Sequence, residues 1–249
     1  MPLTMRLRAQ VIPIAEVASR RRDEMFALME QYYAGMKRET FENDLSEKQW
    51  VIELIDQGTQ ELRGFSTQMV IAVEVRGQPI RALFSGDTIV DRGCWGQSVL
   101  AQAWGQLALS LIDDNSPRDL FWFLISKGYK TYRYLPVFFR EFYPRFDAVT
   151  PEWARKTIDV LGVKKYPALY EPWRGIVRAE PSGCRLRRGV AELADARLRD
   201  PHIRFFKERN PGHGQGDELC CLAPITRENF SLAAARPLRG EAAAWSALG

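Results

Sequence analysis

Residues 79–100, PIRALFSGDTIVDRGCWGQSVL, decide how the rest of the chain is read. Leu83, Phe84, Thr88, Ile89 and Val90 are apolar or β-branched and predict a strand, interrupted by Ser85-Gly86. The chain then turns through Asp91, Arg92 and Gly93, and Gly96-Gln97-Ser98 opens a helix that continues as VLAQAWGQLALSLI. A strand, a glycine turn and a helix N-terminus together present backbone N–H groups and the positive end of a helix dipole. That combination suits a phosphate or another anion. A glycine turn serves packing equally well, and the residues leave both readings open.

Working outward, residues 62–75 form a long strand-like run, and Arg76-Gly77-Gln78-Pro79 turns it back into the opening stretch as a hairpin. Residues 113–117, DDNSP, are a loop. Residues 120–125, LFWFLI, are continuously apolar and predict a strand buried on both faces. Its neighbour is expected to run parallel to it, joined by the 96–112 helix as a right-handed crossover. Residues 5–14 predict a first strand. Residues 17–36 predict an amphipathic helix, with Met25, Leu28, Met29, Tyr32, Tyr33 and Met36 at helical spacing on a core-facing stripe. Ser46-Glu47-Lys48-Gln49 matches a capping box and predicts a short helix carrying Trp50, Val51, Leu54 and Ile55, ended by Gln57-Gly58.

Beyond the buried strand, residues 126–130 predict a turn and residues 131–143 an aromatic-rich helix with Pro136 near its start. Thr150-Pro151 opens another helix, closed by Gly162. From about Tyr166 the texture changes to short segments rich in Pro, Gly and Arg. Residues 174–178 and 218–225 are candidate strands, and residues 210–216 a loop. The Ala-rich last ten or so residues predict a frayed tail or a terminal helix.

The 249 residues fit one large domain, or one domain with an appendage, and the composition is that of a soluble globular protein. A net charge of +4, from 35 basic and 31 acidic residues, is too mild for a nucleic-acid binder, although Arg20-Arg21-Arg22 and Arg185, Arg187 and Arg188 cluster locally. No apolar run is long enough to span a bilayer and no signal-peptide pattern opens the chain. Cys94, Cys184, Cys220 and Cys221 form no disulfide framework or CxxC pair, and adjacent Cys220 and Cys221 would face opposite sides of a strand. The expectation is a reduced, cytoplasmic protein.

The order of elements over residues 1–165 resembles the GNAT N-acyltransferase superfamily: a helical start, a long antiparallel hairpin, a strand with a glycine turn and helix, a buried strand, then an aromatic helix. That family's pyrophosphate loop reads Gln/Arg-x-x-Gly-x-Gly/Ala at the end of its fourth strand. Gly96-Gln97-Ser98 stands for the second half of the pattern. The Gln/Arg position falls on Gly93, and the basic residue, Arg92, comes one place early. The resemblance implies a mixed α/β (α+β) fold: a largely antiparallel central sheet flanked by helices, with residues 1–165 as acyltransferase core and residues 166–249 as a C-terminal extension completing the acceptor side. It implies an acyl-CoA or phosphopantetheine-linked acyl donor as co-substrate, and no metal. Ile89, Val90, Arg92, Gly93, Cys94, Trp95, Gly96, Gln97 and Ser98 would bind the donor, its pantetheine arm lying along residues 88–91. The LFWFLI strand would splay from its neighbour to admit the thioester.

Within that frame Asp87 is the candidate base for the attacking amine, or else a carboxylate capping a bulge at Gly86. Glu74, on the preceding strand, is a weaker candidate that solvent exposure also explains. Tyr129, Tyr132, Tyr134 and Tyr143 compete for the general acid that protonates the leaving thiolate, with Tyr143 and Tyr129 foremost, and packing explains each of them as well. Ser126 and Lys127, with Lys130, sit at the carboxyl end of the buried strand, where α/β folds bind ligands. His213, Asp217 and Glu218 would touch the acceptor from a flexible loop, and their spacing matches no metal site. Cys94 lacks a histidine nearby in sequence to act as a Cys–His nucleophile. Aromatics between Phe121 and Phe146 either line an acyl tunnel or pack as core.

The expected function is an N-acyltransferase that moves an acyl group from an acyl-CoA or acyl-carrier-protein thioester to an amine by direct attack, without a covalent enzyme intermediate. The alternative is a non-catalytic module of the same fold that binds a partner or senses an acyl thioester. The expected partners are a small-molecule amine and, for one class of donor, an acyl carrier protein, with no nucleic acid and no membrane span.

Overall fold

The computed structural model describes residues 6–114, 119–180, 184–187 and 195–234. The chain runs β1 (Leu7–Pro13), α1 (Ser19–Tyr32), β2 (Tyr33–Ala34), α2 (Arg38–Ser46), β3 (Trp50–Asp56), β4 (Leu62–Val75), β5 (Gln78–Val90) and α3 (Val99–Asp113). It continues with β6 (Asp119–Ser126), α4 (Tyr129–Tyr132), α5 (Tyr134–Phe138), α6 (Glu152–Lys165), β7 (Tyr170–Glu171), β8 (Ile176–Val177), β9 (Arg185–Leu186), α7 (Pro201–Arg209) and β10 (Glu218–Pro224). Eight strands form one sheet in the order β1-β3-β4-β5-β6-β10-β8-β7, and β5 with β6 is its parallel pair. The mixed, mostly antiparallel sheet flanked by helices is the expected fold class.

The pleat decides which helices lie on which face. Leu120, Trp122 and Leu124 of β6 pack with α3, α4, α5 and α7, whereas Phe121 and Phe123 pack with α6 on the other face. Cys220 and Cys221 divide in the same way, and all four cysteines are free. α1 and α2 cover the β3–β4 end through Met25, Met29, Phe41 and Leu45. Burial on both faces explains why LFWFLI carries no alternation of polarity.

Three expected elements are corrected. Residues 50–56 are a strand, not a helix: β3 sits between β1 and β4, nearly all of it buried, so its apolar run is a two-sided strand. Ser46 closes α2 instead of opening a helix, and its Oγ donates to the Asn43 carbonyl at 2.7 Å. Gly162 does not stop a helix, since α6 continues to Lys165; a Cβ there would meet the Tyr170 ring at 2.6 Å, so the glycine provides clearance. The aromatic segment 131–143 is two short helices, after which Phe139 and Tyr143 bridge to Phe230 and Leu222. β10 lies beside β6 and hydrogen-bonds it from Leu219 to Pro224, so residues beyond 165 belong to the same sheet. The expected Ala-rich tail, most of the 113–117 loop and Arg188 lie outside the described residues.

Candidate active site

Two irregularities in β5 open the site. The register with β4 slips between Ser66↔Thr88 and Gln68↔Ser85, so Gly86 and Asp87 together face Thr67 as a β-bulge. The parallel pairing with β6 ends at Ser85↔Leu124, beyond which Ile125 and Ser126 pair with β10 alone. β5 and β6 therefore separate, and a cavity of about 520 Å³ fills the gap. Phe84 and Tyr166 line it toward α6, and Leu100, Leu124, Thr131 and Tyr134 line it toward α3. The bulge needs glycine: a Cβ on Gly86 would meet Thr67 Oγ1 at 2.6 Å and Lys48 Cε at 2.7 Å.

Asp87 projects into this cavity, and among the described residues it has no hydrogen bond or ion pair. Burial, with the Asp44 carboxylate adding repulsion, pushes its pKa up to about 6, against the attraction of Lys127 and Lys48. Asp44 also lines the cavity and is held by the buried Lys48 ammonium at 2.6 Å and by Lys165 at 3.6 Å. On the opposite wall Lys127 Nζ lies 3.4 Å from Glu218. Glu218 raises the Lys127 pKa, so that lysine stays charged, while burial raises Glu218. Asp44→Asn removes the repelling carboxylate and is expected to lower the Asp87 pKa. A carbon-detected NMR titration of the Asp87 carboxyl reads this, and an unmoved midpoint would contradict it.

The turn after β5 folds more tightly than the sequence suggests. Residues Arg92–Cys94 form a 3₁₀ turn in which the Asp91 carboxylate accepts from the Gly93 amide at 2.9 Å. The Arg92 amide donates to Tyr32 Oη at 2.8 Å, and Trp95 Nε1 donates to the Val90 carbonyl at 2.8 Å. Helix α3 begins at Val99, later than expected, and Ser98 at its N-cap makes no side-chain capping bond. The first helical bond runs from the Gln102 amide to the Ser98 carbonyl, so the Val99 and Leu100 amides at the cavity edge have no acceptor within the helix. Lys130 Nζ stands 3.7 Å from the centre of the Trp95 ring, with the Arg92 guanidinium 5.7 Å from the same ring. Burial and the cations Arg92 and Arg197 lower the Lys130 pKa.

Of the residues expected at the site, the cavity gathers Asp87, Ile89, Val90, Cys94, Trp95, Gly96, Gln97, Lys127 and Glu218, with Lys130 and Tyr134. Several others lie elsewhere. Tyr143 packs edge-on against Trp153, and its hydroxyl meets Glu141 at 3.2 Å, outside the lining. Tyr129 and Tyr132 are buried in the core under α4. Ser126 Oγ donates to the Gly128 carbonyl at 2.7 Å and is turned inward. His213 Nδ1 is bonded with the Asn210 carbonyl at 2.8 Å and stacks edge-on against Phe206. Asp217 accepts from the Ala179 amide at 3.0 Å, bracing a loop, and Gly212 abuts it too closely for any side chain. Glu74 lies at the hairpin end of β4, paired with Pro79 and away from the gap. Cys94, although it borders the cavity, is 1% exposed and burial raises its pKa, so it is a core thiol. Asp44, Tyr33 and Tyr166 line the cavity without a sequence signal, because only the fold brings β2, α2 and the end of α6 to this edge.

Among the described residues no cluster of His, Cys, Asp or Glu is arranged to hold a metal, and no helix is long and apolar enough to cross a membrane. No family model and no curated protein matches the chain. Among solved structures it is similar to Saccharomyces cerevisiae N-myristoyltransferase with bound myristoyl-CoA, at 12% identity over 51% of this chain and 30% of that one, with a TM-score of 0.38. It is similar to a GCN5-related N-acetyltransferase from Kribbella flavida, at 12% identity over 56% of this chain and 34% of that one, with a TM-score of 0.40. A probable N-acyltransferase from Enterococcus faecalis aligns at 12% identity over 86% of this chain and 64% of that one, with a TM-score of 0.42. The chain thus spans about a third of the length of the first two.

Proposed function

We propose that this chain is an N-acyltransferase that moves an acyl group from a phosphopantetheine thioester, on coenzyme A or on a carrier protein, to the amine of a small molecule. The observation that carries the reading is the break in the sheet: β5 and β6 part at Ser85↔Leu124, and a bulge turns an unpaired carboxylate, Asp87, into the resulting cavity. An extended pantetheine arm can lie in such a gap against the edge of β5. Its phosphates would meet the unbonded amides at the start of α3, with Arg92 and Lys130 beside them. The amides of Arg92 and Gly93, already engaged, are not part of that cradle.

In the reaction the amine nitrogen attacks the thioester carbonyl carbon, the C–N bond forms and the C–S bond breaks. Asp87, ionised above about pH 6, takes the proton from the attacking nitrogen. Tyr134 replaces Tyr143 and Tyr129 as the donor to the leaving thiolate, because it lines the cavity and burial raises its pKa, keeping the hydroxyl protonated. Glu218, Asp44 and Lys127 would frame the acceptor side, where ion-paired groups offer hydrogen-bonding partners to a polar amine. A buried, weakly acidic Cys94 gives no support to a covalent acyl-enzyme.

The test is thiol release, followed while the protein is mixed with acyl-CoA or acyl-carrier-protein donors and a panel of primary amines. Amine-dependent release is expected, with an acid limb near pH 6 set by Asp87. No release with any donor would overturn the reading. Tyr134→Phe is expected to lower kcat by about 10²-fold with KM little changed. A rate within twofold of wild type would remove Tyr134 from the mechanism.

A further inference from the structure

We infer that the donor's acyl chain enters a second, apolar pocket beneath α3, where Trp104 and Trp122 stop it at roughly six carbons. The inference rests on the acyl-transfer reading above and names the substrate class of that same site. The pocket holds about 60 Å³ and shares Thr88, Leu100, Leu124, Thr131 and Tyr134 with the main cavity. Its mouth is therefore the point where β5 leaves β6, where the thioester carbonyl would stand. Ala101 and Gly105 give the α3 wall two residues with little or no side chain, and Trp104 and Trp122, with ring centres 4.5 Å apart, line it as its bulkiest side chains.

Most polar groups bordering this pocket bond one another, and the hydroxyl-bearing Thr131 and Tyr134 belong to the lining it shares with the main cavity. Both indole N–H groups donate to Ser85 Oγ, Trp104 at 3.2 Å and Trp122 at 2.9 Å. Ser85 Oγ donates to Gln68 Oε1 at 2.8 Å, and Gln68 Nε2 donates to Ser66 Oγ at 2.7 Å. Ser66 Oγ and Thr88 Oγ1 are bonded at 2.7 Å. This chain of bonds fixes both tryptophans and leaves carbon facing the space, so a water inside would find few partners, whereas an alkyl chain needs none. One water-sized group occupies roughly 10–15 Å³ of such space, so the pocket admits roughly four to six carbons beyond the reacting carbonyl region.

The experiment is calorimetric titration of the full chain with S-acyl phosphopantetheines and acyl-CoAs of two to sixteen carbons. Affinity is expected to rise about fourfold per added carbon until the tryptophan floor is reached, and a sixteen-carbon chain should bind at least tenfold more weakly than the best one. Ala101→Leu narrows the pocket and should weaken six-carbon donors about tenfold more than acetyl donors. Trp104→Leu, or the milder Trp104→Phe, deepens it and should move the optimum to longer chains. Equal affinity across the series, or a best chain unmoved by these variants, overturns the inference and leaves acyl transfer standing. Binding of no thioester at all overturns the acyl-transfer reading, and the inference falls with it.

Discussion

Asp87→Asn is expected to slow acyl transfer by about 10²–10⁴-fold while making the protein more stable at neutral pH. The two effects share one cause. Burial and the neighbouring Asp44 carboxylate push the Asp87 pKa up to about 6 in the folded chain, above the ordinary carboxylate value near 4 that holds when unfolded. Between about pH 4 and pH 6 the folded state therefore binds more protons than the unfolded state. Stability falls as pH rises through that window and stays lower above it. Asparagine removes the charge and the loss with it, a gain of about 2 kcal/mol once water at the cavity mouth is allowed for, or several degrees in Tm. The pH–rate profile and thermal unfolding at pH 4 and pH 7.5 check both halves. The stability gain should be present at pH 7.5 and absent at pH 4. Full activity in the variant, or a lower Tm at pH 7.5, would contradict this role for Asp87.

Gly86→Ala is the second large effect. The new methyl group would stand 2.6 Å from Thr67 Oγ1 and 2.7 Å from Lys48 Cε. Thr67 is a strand residue 1% exposed, and Lys48 is 4% exposed and tied to Asp44, so neither yields freely. The expected cost is about 1–3 kcal/mol of stability, typical of overpacking in a filled interior. The bulge must also shift, which re-aims Asp87, so turnover should fall by about 10²-fold even where the variant remains folded. Urea unfolding read beside thiol release separates the two. A stable variant with wild-type turnover would show that the bulge does not position Asp87.

What the sequence carried, and what it did not, follows from locality. Ser85-Gly86 broke an apolar strand pattern, and that break is the bulge; LFWFLI lacked alternation, and that is a strand between two helical layers. These signals sit within a few residues. Residues 50–56 failed for the same reason LFWFLI succeeded: a two-sided strand has no period of its own, and the preceding Ser46-x-x-Gln49 supplied a helical cue that tertiary pairing with β1 and β4 overrode. The turn at 91–98 showed its glycines, yet nothing local revealed that Tyr32, sixty residues upstream, accepts the Arg92 amide. Which of the four tyrosines reaches the cavity depends on how segment 131–143 divides into α4 and α5, with Tyr134 in the cavity lining and Tyr143 against Trp153. Asp217 and His213 had the chemistry of a site in a glycine-rich loop, but those glycines serve close packing and turn geometry.

The most direct measurement is a crystal structure of the full chain with a thioether analogue of an acyl-CoA, in which the carbonyl is retained and transfer is blocked. The account predicts the sulfur between Gly86–Thr88 of β5 and Leu124–Ile125 of β6, the phosphates at the start of α3, and Asp87 within hydrogen-bonding reach, directly or through one water, of the face open to an amine. A ligand bound away from this gap, or a gap that stays empty while the analogue saturates the protein, would contradict it.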